Sequence, residues 1–313
     1  MLAGTPFRLR SSATALRCSP ERRSGCAPPQ WRVGPIRWTH YAVPVVRQVS
    51  EDFFSQFKRA WIVSSRWLPQ GWLDALRQLA LFAGAYYAYR IVRGLVDGQA
   101  SIAFENARAL VDAERTLGTF FEPGLQTWAQ SQEWIVTGAN WMYVNSHFVV
   151  TTTFLIWLYI ARNHAYYYVR NMFMIAMGIA LVLYMAFPTA PPRYLPEWGF
   201  TDTVAAFVGQ AAEQSANVLY NPFAAVPSMH VAFALMIAIP AVKLVKPRSL
   251  KVAWALYPVL VTFVVVVTAN HFWLDAAFGA VVAAVSAWGA SYALGRARPE
   301  AWAWRTARAE AVA

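Results

Sequence analysis

Six stretches of this chain are long and apolar enough to cross a lipid bilayer, and they restrict its fold more than any other feature. A membrane-spanning helix needs about 20 residues and satisfies its own backbone hydrogen bonds inside the hydrocarbon core. Only 14% of the residues are charged, whereas soluble domains have about 25%. The sequence therefore predicts an all-α fold, a polytopic membrane bundle of six transmembrane helices. The stretches lie near residues 74–96, 134–160, 166–187, 228–245, 250–269 and 271–294.

The domain organisation follows from these stretches. Residues 1–73 are basic and rich in Arg, Ser and Pro, and we expect a disordered cytoplasmic region there. Residues 74–294 form the membrane domain, and residues 295–313 form a basic cytoplasmic tail. Between the first two spans, residues 100–133 are amphipathic, which predicts one or two helices lying on the membrane surface.

The distribution of basic residues predicts the orientation of the bundle. The termini and the connections at 161–170 and 243–251 are positive, whereas the other connections carry acidic residues such as Glu114 and Glu122. Positive segments stay on the cytoplasmic side, so we expect both termini in the cytoplasm and the acidic connections outside. The net charge of +11 is spread over these segments, which does not favour nucleic-acid binding. We expect an integral protein of a bacterial plasma membrane, with the polar clusters described below at its outer face.

The last predicted span has a face of small residues. Its members recur every four residues, which places them on one side of a helix and lets a neighbouring helix approach closely. We interpret this face as a packing surface and not as a catalytic feature. The members are Gly279, Ala283, Ala287, Ser291 and Gly295.

Polar residues in the apolar half of the chain fall into three short clusters. They are Phe187-Pro-Thr-Ala-Pro-Pro-Arg193, Ala225-Val-Pro-Ser-Met-His230 and Asn270-His-Phe-Trp-Leu-Asp275. The predicted topology places all three clusters at the outer membrane face. We therefore expect them to form one site, although they are distant from one another in the sequence.

The first two clusters contain residue types that suit a phosphate group. Arg193 is a permanently charged, bidentate donor, and the two prolines before it stiffen the loop that holds it. Ser228 follows a proline at a predicted helix start, where backbone N–H groups and the helix dipole favour an anion. Its hydroxyl could cap that helix or donate to a phosphate oxygen.

Two histidines and an aspartate supply the groups needed for covalent chemistry at phosphorus. His271 and Asp275 are four residues apart, so on a helix they share one face. The carboxylate can accept a hydrogen bond from one ring nitrogen and leave the other nitrogen free to attack. His230 can then protonate the leaving alkoxide and later activate a water or an alcohol. The same three side chains could instead hold zinc, although Arg193 and the anion-binding helix start favour phosphate.

These motifs resemble those of the type-2 phosphatidic acid phosphatase superfamily, above all the branch that contains inositol phosphorylceramide synthases. The resemblance rests on FPTAPPR (187–193), VPSMH (226–230) and NHFWLD (270–275), and the six-span layout extends it over residues 74–294. It implies a membrane enzyme that acts on a lipid phosphate, with water or an alcohol as acceptor and without a metal cofactor. It also implies five residue roles: nucleophile His271, its orienting partner Asp275, general acid/base His230, and phosphate ligands Arg193 and Ser228.

The chain departs from the broader superfamily pattern around the phosphate. That pattern has a lysine before the first-cluster arginine, a Ser-Arg pair before the nucleophile and a glycine between the serine and the histidine of the second cluster. Two expected cations are therefore missing, which suits the inositolphosphotransferase branch. The residues found at these positions are Ala186, Val264 with Val265, and Met229.

Two further polar residues lie near the middle of the second span. Tyr143 and His147 are four residues apart and share a helix face. We predict that they contact the headgroup or the acceptor; a structural hydrogen-bond cluster between helices is the alternative. Tyr220, Asn221 and Asn270 are weaker candidates for the same contact, and we interpret them first as loop or capping residues.

Two functions follow from these observations. The first is a membrane-embedded lipid-phosphate phosphatase or phosphotransferase that works through a phosphohistidine, with an inositol-phosphate headgroup as one candidate for transfer. The second is a transporter or lipid-binding protein with a polar outer vestibule. A transport path needs polar residues through the whole membrane depth, whereas spans three to six are apolar away from their outer ends. The sequence therefore favours the enzyme.

Overall fold

The computed structural model describes residues 68–96, 99–209 and 223–294. Most of the predicted N-terminal region and the whole predicted C-terminal tail therefore lie outside the described residues. The same holds for three single residues named above, Tyr220, Asn221 and Gly295.

The described part of the chain is helical and contains no β-strand, which confirms the all-α prediction. One isolated parallel bridge joins Thr189 to Ala224, between two of the polar clusters. The α-helices are α1 (Gly71–Val96), α2 (Ala100–Thr116), α3 (Glu122–Gln130), α4 (Glu133–Trp141), α5 (His147–Ala161), α6 (Asn163–Ala186), α7 (Thr203–Val208), α8 (Met229–Leu244), α9 (Arg248–Val267) and α10 (Trp273–Trp288).

Helices occupy all six predicted spans, but they do not all meet the same standard for crossing a membrane. Four helical segments among the described residues are long and apolar enough: Glu133–Ala161, Asn163–Ala186, Arg248–Val267 and Trp273–Tyr292. The protein is therefore an integral membrane protein. Helix α8 is apolar but has only 16 residues, and α1 carries charged residues, so four spans are established by length and composition.

The second span has an irregularity that no periodicity predicted. Helices α4 and α5 form one continuous segment of 29 residues, interrupted at Met142–Ser146 by a π-helical turn. Such turns insert an extra residue into an α-helix and occur often at functional sites. This turn contains Tyr143 and ends immediately before His147.

Helix α8 lies at the centre of the bundle and packs against α6, α9 and α10. Its approach to α10 is close, because a Cβ atom at Gly279 would overlap the carbonyl oxygen of Ser228. The small-residue face predicted for the last span is thus confirmed at Gly279. The middle of the bundle is filled by an apolar core that includes the fully buried Phe173, Met236 and Ile237.

Helices α2 and α3 confirm the prediction of two helices between the first and second spans. They do more than lie on a surface, because α2 buries Ala103, Ala107 and Val111 against the loop that follows α6. The backbone turns between the two helices at Gly118, whose φ is 69°, a conformation that glycine adopts without strain. The loop 187–195 is therefore covered by α2 and held in place.

Candidate active site

The first polar cluster is joined to the other two by main-chain hydrogen bonds. Thr189 N–H donates to the carbonyl oxygen of Phe223 at 2.8 Å, next to the second cluster. Arg193 N–H donates to the carbonyl oxygen of Ala269 at 2.8 Å, next to the third. Helix α2 supports the same loop, since the Asn106 side chain donates to the carbonyl oxygen of Pro188 at 2.8 Å. The structure thus brings the three clusters together at one end of the bundle.

The second and third clusters also contact each other directly. Ser228 N–H donates to the carbonyl oxygen of Asp275 at 3.0 Å. This bond ties the start of α8 to the first turn of α10. It depends on the close approach at Gly279, which lies one turn beyond Asp275 on α10. The second and third clusters therefore hold a fixed relative position.

The His271 ring is held by a main-chain carbonyl group. Its Nδ1 atom lies 2.9 Å from the carbonyl oxygen of Ala225 and 3.4 Å from Oδ2 of Asp275. A carbonyl oxygen can only accept, so Nδ1 carries the proton and Nε2 keeps its lone pair. The sequence predicted the carboxylate as the partner of this nitrogen. In the structure the carbonyl group makes the shorter contact and the carboxylate the longer one.

Asp275 is positioned differently from the prediction. Helix α10 begins at Trp273, so His271 precedes the helix, and the expectation that His271 and Asp275 share a helical face was wrong. The two side chains meet because the carboxylate folds back over the helix start, where Oδ2 accepts the Phe272 N–H at 2.9 Å. Asp275 is fully buried, and its Oδ1 atom has no hydrogen-bond partner.

His230 lies in the first turn of α8, beside His271. The centroids of the two rings are 5.5 Å apart. On its other side, His230 stacks on Tyr143 at 4.9 Å and lies 4.4 Å from the His147 ring. Tyr143 and His147, the second-span residues predicted to contact the headgroup or the acceptor, therefore both lie against the His230 ring.

His147 makes ring contacts and no recorded hydrogen bond. It stacks on Phe233 at 5.5 Å in addition to its contact with His230. Its Nδ1 atom is buried and lacks a hydrogen-bond partner. The alternative for His147 was a hydrogen-bond cluster between helices. In the described residues its Nδ1 atom makes no such bond.

Ser228 occupies the N-cap position of α8 but does not cap it with its side chain. The residue is fully buried, and its Oγ atom has no hydrogen-bond partner. Burying a hydroxyl group without a partner costs free energy. Of the two roles predicted for this hydroxyl, the structure does not use the cap, and the oxygen is left available to a ligand.

Arg193 is buried within a polar shell. Its Nη1 donates to Oδ1 of Asn270, its Nη2 donates to the Tyr194 hydroxyl at 3.2 Å, and its Nε lies 3.3 Å from Oδ2 of Asp202. Asn270 had been interpreted as a loop or capping residue. Its contact with Arg193 makes it part of the site, because it orients the guanidinium group.

The comparison with known proteins agrees with this geometry. A sequence model of the PAP2 superfamily matches residues 108–289, which include all three clusters and more than half of the chain. The chain belongs to the PAP2 superfamily. No curated protein and no solved structure gave a significant match. Membership supports a phosphatase-type enzyme that acts on lipid phosphates in a membrane.

In this PAP2 protein two glutamates contact the start of α10, and the sequence did not reveal these contacts. Glu122 Oε1 accepts the Trp273 N–H at 3.1 Å, and Glu114 Oε1 accepts the Leu274 N–H at 3.2 Å. Both were predicted only as acidic residues of an outer connection, yet both are fully buried. Glu114 continues the buried face of α2, which is a signal that could have been found.

The departures from the PAP2 pattern leave apolar side chains around the site. Val264 and Val265, which replace the expected Ser-Arg pair, are buried in α9. Ala186, which replaces the expected lysine, is the last residue of α6. Within the residues that the structure describes, no group of three or more His, Cys, Asp or Glu side chains is arranged to hold a metal ion.

Proposed function

We propose that this PAP2 protein is a lipid-phosphate phosphatase or phosphotransferase that works through a phosphohistidine on His271. One observation carries the proposal: the proton of His271 is fixed on Nδ1 by the carbonyl oxygen of Ala225 at 2.9 Å. The Nε2 lone pair is then ready to attack phosphorus. An imidazole held in one tautomer is an activated nucleophile without any prior proton transfer.

The phosphate group binds between Ser228 and Arg193. The start of α8 presents backbone N–H groups that favour an anion, and the partnerless Ser228 hydroxyl lies at that start. Arg193 adds a positive charge from the neighbouring loop, and Asn270 and Tyr194 fix its orientation. Donors that are held in place before the substrate arrives stabilise the charge that develops in the transition state.

The reaction then follows in two steps. Nε2 of His271 attacks the phosphorus atom, the bond from phosphorus to the leaving oxygen breaks, and His230 donates a proton to that oxygen. Asp275, whose Oδ2 lies 3.4 Å from Nδ1, stabilises the positive charge on the His271 ring. In the second step His230 takes a proton from a water or an alcohol, which attacks phosphorus and releases His271.

We also propose that α1 and α8 cross the membrane with the four established spans, which gives six spans. The even number and the charges of the connections place both termini in the cytoplasm. The site then lies at the outer face. The segment before α8, residues 225–228, is buried and adds four residues to the 16 of that helix.

Two observations favour transfer to an alcohol over simple hydrolysis. The two cations expected around the phosphate in the broader pattern are absent, because Ala186 stands at the lysine position and Val265 at the arginine position. Polar rings also flank the proposed acid/base, because Tyr143 and His147 lie against His230. They are placed to contact an acceptor such as inositol, as the resemblance to inositolphosphotransferases implies.

The apolar core between the two ends of the bundle disfavours the transporter alternative. A path through the membrane needs polar groups along its length. The region between the site and the opposite end is filled by apolar side chains, including Phe173, Met236 and Ile237. A surface-facing site is consistent with this core, and a continuous polar path is not.

The test is a substrate screen with purified protein in detergent. Labelled phosphatidic acid, polyprenyl diphosphate and phosphatidylinositol are each offered with and without an alcohol acceptor. We expect phosphate release or headgroup transfer from at least one lipid, inhibition by vanadate, and a labelled protein that loses its label in acid. The acid lability is the signature of a phosphohistidine.

The controls separate the alternatives. His271→Ala should lose both turnover and labelling. Equal turnover by wild type and His271→Ala on every substrate would refute the proposal. Activity that EDTA abolishes and zinc restores would support the metal alternative instead. Product that appears only with the alcohol present would establish transfer.

A further inference from the structure

Three consecutive backbone N–H groups directly after His271 donate to three buried carboxyl groups. Phe272 donates to Asp275, Trp273 donates to Glu122, and Leu274 donates to Glu114. All three acidic residues are fully buried. Two of them come from α2 and α3, about 150 residues earlier in the chain.

These carboxyl groups occupy the positions that the start of a helix leaves unsatisfied. The first N–H groups of a helix have no partner within the helix, and the helix dipole favours negative charge there. A carboxylate is therefore a good cap. Three full negative charges in one buried place would repel each other strongly. The arrangement is stable only if at least one of the groups is neutral.

Glu114 and Glu122 resolve this conflict between them. The Oε2 atoms of Glu114 and Glu122 are both buried and have no hydrogen-bond partner, and the two carboxyl groups are near enough for the charge of Glu122 to act on Glu114. Two carboxylate oxygens can form a hydrogen bond only if one carries a proton. One proton shared by the pair satisfies both atoms and leaves a single charge for the cap.

We propose that Glu114 and Glu122 are positioning residues that share one proton and thereby hold the start of α10, and with it His271, in the attacking position. This inference rests on the proposed function, because the position matters through the nucleophile. Neither glutamate touches a reacting atom. Their effect passes through the main chain from Trp273 and Leu274 to His271, only two and three residues away.

The protonation of the pair sets a pH limit. Burial, together with the negative charge of Glu122 and the hydrogen bond to it, raises the pKa of Glu114 from 4.5 to about 9. Two other ionisable groups act on Glu114, namely Glu122 from α3 and Asp275 from α10. Above pH 9 Glu114 loses its proton beside Glu122 and Asp275, and we expect the cap to loosen and the activity to fall.

Glutamine variants test the shared proton at constant shape. Glu114→Gln keeps an acceptor for Leu274 N–H and offers its amide N–H to the Glu122 carboxylate. It should retain activity within about threefold of wild type at neutral pH, as expected of an intact hydrogen-bond geometry, and lose the alkaline decline. Glu105→Gln, an exposed acid on the same helix, is the matched control and should keep the wild-type pH profile.

Alanine variants test the positioning. Glu114→Ala and Glu122→Ala each leave a partly buried N–H of α10 without its acceptor. We expect kcat to fall about 100-fold with little change in KM, because displacing a catalytic group by about 1 Å has an effect of this size. Rescue by glutamine at the same position distinguishes a lost cap from a lost charge.

Infrared spectroscopy gives a readout that does not depend on activity. The wild type should show the carbonyl stretch of a protonated carboxyl group that titrates near pH 9. Glu114→Gln should lose this band, and Glu105→Gln should keep it. If the band appears but no lipid is turned over, the shared proton stands and the proposed function fails. If the band is absent, or if folded alanine variants keep the wild-type kcat and pH profile, the inference is overturned.

Discussion

The molecule buries polar side chains at both ends of its helix bundle, and the two clusters differ in how completely they are hydrogen-bonded. Helix α6 has 24 residues and is about 36 Å long. Arg193 and the site lie just beyond its C-terminal end. A separate group of polar residues, the Arg170 network, surrounds Arg170, which lies two turns from the N-terminal end of α6.

In the Arg170 network every buried polar side-chain atom has a hydrogen-bond partner, and in this sense the network is closed. The Asp74 carboxylate accepts hydrogen bonds from the hydroxyls of Tyr159 at 2.9 Å and Tyr167 at 2.8 Å, and from the Gln78 amide at 2.9 Å. Arg170 donates to Gln78 at 2.9 Å and twice to the neighbouring Asn171. None of these side chains, all in the described part of the chain, has a buried polar atom without a partner.

The site at the other end is an open network. Ser228 Oγ, His147 Nδ1 and Asp275 Oδ1 are buried and have no hydrogen-bond partner. Buried polar groups are normally paired, so these open positions, which lie close to His271 and His230, agree with the ligand site proposed above. The closed network ties α1 to α6 and stabilises the fold. The comparison separates residues expected to affect stability from residues expected to affect turnover.

The largest expected effect is on turnover at the open end. His271→Ala removes the proposed nucleophile and should lower kcat by about 10,000-fold or more, as losses of covalent catalysts do. Steady-state assays on the lipid that the wild type uses would measure this. His164→Ala, which changes an exposed histidine of α6, should behave as wild type. Similar losses in the two variants would remove the distinction between the two ends.

A substitution in the Arg170 network should lower stability and leave turnover unchanged. Asp74→Ala leaves two tyrosine hydroxyls and an amide without their acceptor, and should lower the free energy of unfolding by about 3 kcal/mol. The folded fraction should keep the wild-type kcat. Thermal unfolding in detergent and kcat per folded molecule measure the two quantities. Asp112→Ala, an exposed acid on α2, is the control; a tenfold loss of kcat in folded Asp74→Ala would contradict the comparison.

Disturbing the contact between α8 and α10 should lower both the free energy of unfolding and kcat. Gly279→Ala forces a methyl group against the carbonyl oxygen of Ser228 and should destabilise the protein by about 2 kcal/mol. Turnover should fall as well, because Ser228 and Asp275 meet at this contact. Gly178→Ala on α6 meets no atom within 4 Å and should raise stability by up to about 1 kcal/mol. Equal behaviour of the two variants would show that the close approach is unimportant.

The smallest expected effect is a loss of turnover with almost no change in stability. Ser228→Ala removes a hydroxyl that has no partner, so stability should change by less than about 0.5 kcal/mol. Turnover should fall about tenfold, the value of one hydrogen bond to a charged group. Ser286→Ala is the matched control. Ser286 is also buried without a partner, but it lies three turns beyond Asp275 on α10, away from the proposed site. A loss of stability without a loss of turnover would assign Ser228 to the scaffold.

The sequence alone determined the helical membrane fold and the chemical composition of the site. Apolar runs and the spacing of polar residues are local properties, and they identified His271, His230 and Arg193 as well as the small residue Gly279. Membership of the PAP2 superfamily agrees with that interpretation. Four of the six predicted spans are established by helix length and composition.

The tertiary structure decided which atoms are partners. It gave His271 a carbonyl group of Ala225 in place of the predicted carboxylate as its shorter contact, and it left Ser228 uncapped. It also brought Glu114 and Glu122 to the start of α10. Hydrogen bonds between residues far apart in the chain depend on how helices pack, and no local pattern encodes them. The sequence thus determined which polar residues are present and how they are spaced, and packing determined which of them are hydrogen-bond partners.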